Sequence, residues 1–596
     1  MKQYAVRPDI STETNEILKP YSEMLRKLLH SRGLDTAEKA EKFLNPNYET
    51  DIHDPFLLKD MDKAVERILK AIEKKEKIII YSDYDADGIP AAVVMADFFK
   101  MVGHDNFEVY IPHRHNEGYG LHLEAIETFR EKGVHLIITL DCGIVDHNEI
   151  KRAKELGIDI IVTDHHLPNS ESFEAYAVVN PKRADCSYPY DMLCGAGVGF
   201  KLVQGLMNKY HPSLSATPPN LGGEASLRAG VVLKPGQEKW LLDMVGIATL
   251  SDMVPLNGEN RVLAYYGLKV LHKTRRPGLL KLLRMMRIDP RNITEDDIGF
   301  MVTPRLNAAS RMGIPMDAYE LLATTDHNRG SELATHLDKI NNERKGLVAS
   351  MVKEIKKTLR EREEYFAGRR VIVMGNPSWR PAILGLAANS IAEDLKKPVF
   401  LWGRDSGDGG SESKAGIKGS CRSGGSSNVV KIMEAAKESF EQFGGHAFSG
   451  GFSLSPEMVH TIEDVLENAI KSLPDNKDAD QPDLIDTKLS LDEVSWNTYR
   501  DIEKLAPFGV GNTKPLFLFE NIKPIELKMF GKAKEHLELS FVNVKGDKIK
   551  AIGFFTKPED FASVPRIDFP LNLIATMEKS FFGRSPELRL RIEDII

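Results

Sequence analysis

Residues 78–88 read IIIYSDYDADG, and the fold follows from how this stretch is understood. Three consecutive isoleucines, Ile78 to Ile80, suit a short buried strand. Beyond it Asp83, Asp85 and Asp87 alternate along the chain, and Gly88 suits the tight turn into the apolar helix expected over AAVVMADFFKMVG. Three carboxylates this close repel one another, and a fold tolerates them mainly where a multivalent cation neutralises them. Taken by itself, the stretch also reads as an acidic surface turn.

Outward from it, strand and helix alternate. IIIYSD, FEVYIP, HLIITLD, IDIIVTD and AYAVVNP are the predicted strands, with AAVVMADFFKMV, HLEAIETFREKG and HNEIKRAKELG as helices between them. Short apolar strands separated by helices imply a parallel sheet covered on both faces. Residues 1–70 form an N-terminal helical segment, 71–260 the first α/β domain and 261–360 a helical connector. Within that connector region, Lys273 to Arg291 carries seven basic residues against Asp289 and reads as a solvated helical face. A smaller α/β domain spans 361–475, with strands RRVIVMGN and KPVFLW and helices PAILGLAANSIAEDL and NVVKIMEAAKESFEQF, the last running to Gly444 and Gly445. Residues 476–596 shift to short alternating runs such as HLELSFVNV and LRLRIEDI, a β-rich module expected to be a small barrel. The Pro/Gly/Ser-rich run over 211–237 is a surface insertion.

A net charge of −8 over 596 residues excludes a generally basic nucleic-acid coat and leaves room for a local basic groove. Four cysteines form no CxxC pair, which fits a reducing compartment rather than a disulfide framework. There is no run of roughly 18 apolar residues and no signal-peptide core at the N-terminus. A soluble, cytoplasmic protein is expected.

In an open parallel sheet, ligands bind beyond the carboxyl ends of the strands. Asp83, Asp85 and Asp87 follow IIIYS, Asp141 follows HLIITL, and Asp164, His165 and His166 follow IDIIVT. Further on, the apolar run MVGIATL ends in Ser251 and Asp252. Each ending alone is compatible with a helix cap or a turn; their shared chemistry and shared edge point to a metal centre. Aspartate oxygens with one or two imidazoles and no thiolate suit manganese, magnesium or zinc, with manganese the natural compromise. Five or six candidate ligands imply two ions, which roughly 3.5–4 Å apart would clamp the attacking and leaving oxygens of a displacement at phosphorus. Asp141 is the candidate bridge.

Four short motifs add phosphate chemistry. In PRLNAASRMG, Asn307 and Arg311 share a helix face and, with Arg305, are candidate phosphate contacts; a surface salt-bridge pair is the alternative. Arg114 and Tyr119 in HRHNEGYG suit gripping a phosphate and stacking on a base. In GSCRS, part of the glycine- and serine-rich run over 405–427 expected between KPVFLW and NVVKIMEAAKESFEQF, Arg422 stands with the hydroxyls of Ser420 and Ser423. His446 follows two glycines that allow close backbone approach by a nucleotide, although taken alone such a residue is more often a satisfied buried histidine.

DYDADG, DCG, TDHH and SDMVPL, in this order and spacing, resemble the four motifs of the DHH phosphoesterase superfamily. RGLDTAEKAEKFLNP, HRHNEGYGL, CGAGVGFKL, PRLNAASRMG, KGSCRS and FGGHAFSGGF extend the likeness to the RecJ family of bacterial single-strand-specific exonucleases. LAPFGVGNTKPLF and the module after it are similar to that family's oligonucleotide-binding (OB) barrel. The likeness covers essentially the whole chain, with 211–237 the clearest excess. It implies an α/β fold: a parallel-sheet DHH domain, a helical connector, a second smaller α/β (DHHA1) domain and a C-terminal β-rich OB-type barrel. It implies that Asp85, Asp87, Asp141, His165 and Asp252 ligate two Mn2+ or Mg2+ ions, with Asp83 a further ligand or a neighbour of one. His166 is then the residue that meets the scissile phosphate, and Ser420, Arg422 and Ser423 belong to an anion pocket. One departure is Tyr81, four residues before Asp85, where many DHH phosphatases carry a ligating histidine.

The implied activity is 5′-to-3′ hydrolysis of single-stranded DNA to 5′-mononucleotides in DNA repair and recombination. Single-strand binding protein and a recombination helicase are the implied partners, and the chain is expected to be a monomer. Two alternatives stay open: a DHH phosphodiesterase acting on short oligonucleotides, and a non-catalytic DNA-binding scaffold. The presence of Asp85, Asp87, Asp141, His165, His166 and Asp252 together speaks against the second.

Overall fold

The structure is a computed structural model that describes residues 3–114, 117–169, 173–210, 234, 236–404, 416–425, 427–474, 482–581 and 585–596. All but three positions of the expected 211–237 insertion lie outside the described residues, as does 405–415 of the glycine- and serine-rich segment. The chain forms two compact units, one of Met1–Ile52, Pro255–Tyr265 and Asp480–Ile596, the other of His53–Val254 and Tyr266–Ala479. The residues expected as one N-terminal segment over 1–70 are therefore divided between the two.

The larger unit is built on a five-stranded, wholly parallel sheet. Its strands lie in the order Phe107–Tyr110, Ile78–Ser82, Leu136–Leu140, Asp159–Thr163 and Ala177–Val179. Ile78–Ser82 and Leu136–Leu140 are buried at every position. That is the burial expected of parallel strands covered on both faces, and it explains why they read as continuous apolar runs. Chain order reverses between these two strands, which is the switch point where such sheets bind ligands. The helix Gly88–Met101 that follows the first strand is buried over most of its length. Tyr81 points into the core, packs on Tyr110 and Phe129, and donates its hydroxyl to Gly120 O at 2.8 Å.

Helices occupy most of 242–361, ending in the long helix His327–Glu361. The basic run over 273–291 is not wholly solvated: Arg276 is half-buried, with Nε 2.7 Å from Asp243 and Nη2 2.9 Å from Asp97. A second sheet follows, in the order Gln442–His446, Ser449–Leu454, Ile417–Arg422, Val399–Arg404 and Ile372–Gly375. Only the last two strands are parallel. Two expectations are corrected here. The helix expected to run to Gly444 and Gly445 stops at Ala435, and both glycines lie in the strand Gln442–His446. The GSCR residues, expected between elements, form the strand Ile417–Arg422. Glycine weakens a strand signal, which hid both from the hydrophobic pattern.

The smaller unit carries a seven-stranded, mostly antiparallel C-terminal sheet. Leu18, Leu25, Leu28 and Leu29 from the N-terminal helices share its core with Phe517, Phe519 and Phe541. Among the described residues no helix is long and apolar enough to cross a membrane.

Candidate metal centre and phosphate groove

Sheet register sets the first row of the site. Ser82 pairs with Leu140 and Leu140 with Thr163, so Asp83, Asp141 and Asp164 are the next residues on three adjacent strands. The ladder runs one step further: Asp83 N donates to Leu140 O (3.2 Å), Asp141 N to Thr163 O (3.0 Å) and Asp164 N to Val179 O (3.2 Å). Asp141 then turns with a φ of 62°, unusual for a non-glycine residue. The fourth contributor is not a strand end. Asp252 caps the C-terminus of the helix Leu242–Ser251, because MVGIATL is helical.

Three sets of ligand atoms form here, each within 4.8 Å of one another: Asp83, Asp85 and Asp141; Asp87, His165 and Asp252; and Asp141, His165 and His166. His165 Nε2 lies 3.2 Å from Asp141 Oδ1 and 3.8 Å from both Asp87 Oδ2 and Asp252 Oδ2. Asp141 thus stands between the first two sets. Asp87 is held by the start of the helix Gly195–Tyr210, with Gly195 N donating to Oδ2 (2.6 Å) and Ala196 N to Oδ1 (2.7 Å). A helix N-terminus favours a carboxylate there. Asp85 Oδ1 accepts from Asp87 N and Gly88 N, closing the loop on itself.

Crowded, buried carboxylates resist ionisation. Burial, then the Asp85 charge, raises Asp87 to about 7. Burial, then Asp87 and Asp85, raises Asp252 to about 9. Asp83 and Asp141 are raised for the same reasons. Burial, with His166 beside it, lowers His165 to about 3 and keeps its imidazole neutral. Asp83 Oδ1 and Asp141 Oδ1 are buried and accept no hydrogen bond from any described residue. Buried polar atoms in that condition ask for a partner.

Asp164 has a different part, which its place in TDHH did not reveal. Its Oδ1 accepts from His165 N (2.7 Å) and His166 N (3.0 Å) and lies 2.8 Å from His166 Nδ1; its Oδ2 accepts from Ile144 N (3.0 Å). Tyr119 is at the same place rather than out on a strand-binding surface. Its hydroxyl donates to Asp141 O (3.1 Å) and lies 3.0 Å from His166 Nδ1. Although burial opposes it, the Asp164 hydrogen bond and charge raise the His166 pKa.

Tyr119 also lines a groove of about 650 Å³, together with Tyr84, Arg114, Arg311, Ser420 and Arg422. Gly419, Gly444, Gly445, Gly450 and Gly451 present bare backbone to it. Arg422 Nη1 donates to Ser420 Oγ (3.1 Å) and Cys421 O (2.7 Å), and Arg114 stacks over the Tyr84 ring at 4.8 Å. Burial, then the neighbouring Arg114, Arg344 and Arg422, lowers Arg311 to about 9.

Four expected phosphate contacts are placed otherwise. Arg305 is buried, its guanidinium bound to Asp338 (2.8 Å) and Met301 O (2.8 Å). Asn307 faces the metal loop, where Oδ1 accepts from Ala86 N (2.9 Å). Ser423 is buried and accepts from Gly425 N (3.0 Å), and His446 is exposed at the end of its strand; neither lines the groove.

The family model for the DHH family, N-terminal domain, matches residues 77–221, that for the DHHA1 domain 368–472, and that for the RecJ OB domain 485–594. The parallel sheet with its acid-rich carboxyl edge is therefore a DHH domain, and the chain is of the DHH class. A single-stranded-DNA-specific exonuclease RecJ of Salmonella typhimurium is 30% identical over 529 residues, which span 87% of this chain and 86% of that protein. One of Bacillus subtilis is 33% identical over 531 residues, 89% of this chain and 63% of that relative's length. RecJ from Thermus thermophilus, solved in complex with Mn2+, shares the fold with a TM-score of 0.78 at 22% identity, covering 100% of this chain and 79% of that one. The chain belongs to the RecJ family.

Proposed function

We infer that this protein is a metal-dependent exonuclease that hydrolyses single-stranded DNA in the 5′-to-3′ direction and releases 5′-mononucleotides in DNA repair and recombination. The observation that carries this reading is the pair of ligand sets joined through Asp141, met at Tyr119 by an arginine-lined groove. The family resemblance supplies the polarity and the substrate.

The donor set fits two divalent cations. Two buried carboxylate oxygens accept no hydrogen bond from the described residues, four carboxylates are pushed towards protonation, and one imidazole is held neutral. Asp87, His165 and Asp252 would hold one ion and Asp83 with Asp85 the other, with Asp141 between them. Mn2+ or Mg2+ bound there supplies charge for the phosphate oxygens and acidifies a bound water.

The chain's own residues do the rest. Asp164 takes the Nδ1 side of His166, which leaves Nε2 to face a phosphate oxygen and to give a proton to the departing 3′ oxygen. Tyr119 fixes the ring by standing between His166 and the Asp141 carbonyl. Arg311, Arg114, Arg422 and Ser420 would seat the terminal 5′ phosphate, so that the bond reached by the metal loop is one nucleotide away. On the C-terminal sheet, Phe530, His536, Phe554 and Phe555 cluster with Arg589 and Arg591 over Phe554, a surface suited to stacking and salt-sensitive strand binding. Single-strand binding protein and a recombination helicase are proposed as partners of a cytoplasmic monomer on the resemblance alone.

The test is digestion of 5′-labelled and 3′-labelled single strands with Mn2+, alongside a duplex. The expected result is labelled mononucleotide at once from the 5′-labelled strand, late release from the 3′-labelled one, and an intact duplex. Release from the 3′ end first, or equal loss of duplex, would refute the reading.

A further inference from the structure

The helix Thr303–Arg311 touches the metal loop at one point and the groove at another. Asn307 Oδ1 accepts the hydrogen bond of Ala86 N at 2.9 Å, and Ala86 is the residue between Asp85 and Asp87. One turn on, Arg311 Nη1 donates to Ala382 O at 2.6 Å, in the first turn of the helix Pro381–Leu395 that borders the groove. The helix is also pinned independently of both. Thr303 Oγ1 lies 2.5 Å from Ser251 Oγ, next to Asp252, and Arg305 is bound to Asp338.

The loop needs such a restraint. Asp83, Asp85 and Asp87 stand on alternate residues, and without a tie their mutual repulsion would drive the turn open. Asp85 Oδ1 already accepts the amides of Asp87 and Gly88, and the amides of Gly195 and Ala196 take Asp87. Among the amides of residues 86–88, that of Ala86 is the one bound by a side chain from a distant part of the chain, 221 positions on. A neutral carboxamide suits this position, because it accepts the backbone N–H without adding a further negative charge beside the carboxylates.

We propose that Asn307 is a positioning residue that holds the metal loop in its ligating shape through Ala86 N, and that it does not bind phosphate. The proposal rests on the metal-centre reading above and gives PRLNAASRMG two separate duties: Asn307 serves the ions, and Arg311 serves the groove. Partners of this kind, standing behind the ligands, typically alter metal affinity by about 10–100-fold when removed.

The test uses the full-length chain and Mn2+ alone, without DNA, by titration calorimetry. Asn307→Leu keeps the branched outline of the side chain and removes the acceptor; it is expected to weaken Mn2+ binding by about 10-fold or more. Asn307→Asp keeps an oxygen in the same place, its added charge being offset by the bound cations, and is expected to bind Mn2+ no more weakly than wild type. Asn307→Ala at this half-buried position removes the acceptor without crowding and keeps the measurement available should the leucine variant fold poorly. Single-strand affinity measured in EDTA should be unchanged in all three, and high Mn2+ should restore the cleavage rate of the leucine variant. Wild-type Mn2+ affinity in the leucine and alanine variants would overturn the proposal, as would an aspartate variant as weak as the leucine one. Lost single-strand affinity in EDTA would return Asn307 to phosphate binding and overturn it too. A wild-type chain that binds no Mn2+ would instead sink the metal-centre reading, and this inference with it.

Discussion

Gly195→Ala tests the centre with a single methyl group. A Cβ built on Gly195 would lie 2.5 Å from both Cβ and Cγ of Asp141, and closer still to Oδ1, whereas ordinary contact begins at 3.4 Å. The carboxylate would have to retreat by about 1 Å, in line with that shortfall. It has little freedom to do so, being 2% exposed at a strand end whose φ is already 62°. Misplacing a catalytic group by 1 Å costs about 10²-fold, or about 2.7 kcal/mol of transition-state stabilisation. The expected result is therefore a fall in kcat/KM of about 10²-fold on single-stranded DNA, measured as nucleotide release over a range of Mn2+. Overpacking should take about 1–3 kcal/mol from folding stability, so the protein remains folded for assay. Gly197→Ala, on the same helix, is the control: its Cβ would meet Leu193 at 3.4 Å, an ordinary contact, and activity should hold. A folded Gly195→Ala protein with wild-type kcat/KM would refute the placement of Asp141 at the centre of the chemistry.

Removing divalent ions with EDTA should lower Tm, since cations at 100 times Kd add about 2.7 kcal/mol to the folded state; identical melts with EDTA and with Mn2+ would contradict the site. Arg276→Met strands the buried Asp243 carboxylate and the half-buried Asp97 carboxylate and should cost about 3–5 kcal/mol in urea denaturation while activity per folded molecule stays intact. An unchanged urea midpoint would show that the pair is not what holds these helices. Asp146, whose Oδ2 accepts from Leu121 N, is raised by burial to about 6. The folded state therefore keeps a proton that the unfolded chain gives up near pH 4, and stability falls as pH rises from about 4 to about 6, by up to about 3 kcal/mol. Asp146→Asn should flatten the Tm–pH curve over that window and raise Tm at pH 7.5; parallel curves for variant and wild type would refute the linkage.

All five strands of the first sheet were legible: four are almost wholly buried and read as apolar runs whose ends are easy to see, and the half-buried edge strand Phe107–Tyr110 is the exception. That visibility carried over to Asp83 and Asp141, which follow such runs directly. The strand Gln442–His446 was not legible, since two of its five residues are glycine, four are exposed and the fifth, Phe443, is only half-buried. Arg305 and Asn307 have protein partners that the sequence did not show, for another reason. A guanidinium next to a phosphate-binding motif looks like a ligand until its partner is known, and Asp338 is on a different helix, 33 positions away. Asn307 likewise reads as a phosphate contact until Ala86, 221 positions earlier, is seen beside it. Local pattern reports an element's period and its polar residues; it does not report which distant group has already taken them.

Asp83, Asp141 and Asp164 make the same point within the site. They are the same residue type, at the same register, on adjacent strands, and nothing local distinguishes them. What separates them is the supply of donors. Asp164 receives two backbone amides and an imidazole on one oxygen and a third amide on the other, which occupies its lone pairs and favours its charged form. Asp83 and Asp141 each keep a buried oxygen that no described residue serves, and both are pushed towards protonation. An anion already saturated by the fold gains little from a cation, whereas one left short gains most of its missing solvation from it. The division between the aspartate that orients His166 and the aspartates that would face metal is thus written in backbone N–H groups, and exchanging Asp164 for Asn should disturb His166 before it disturbs the ions.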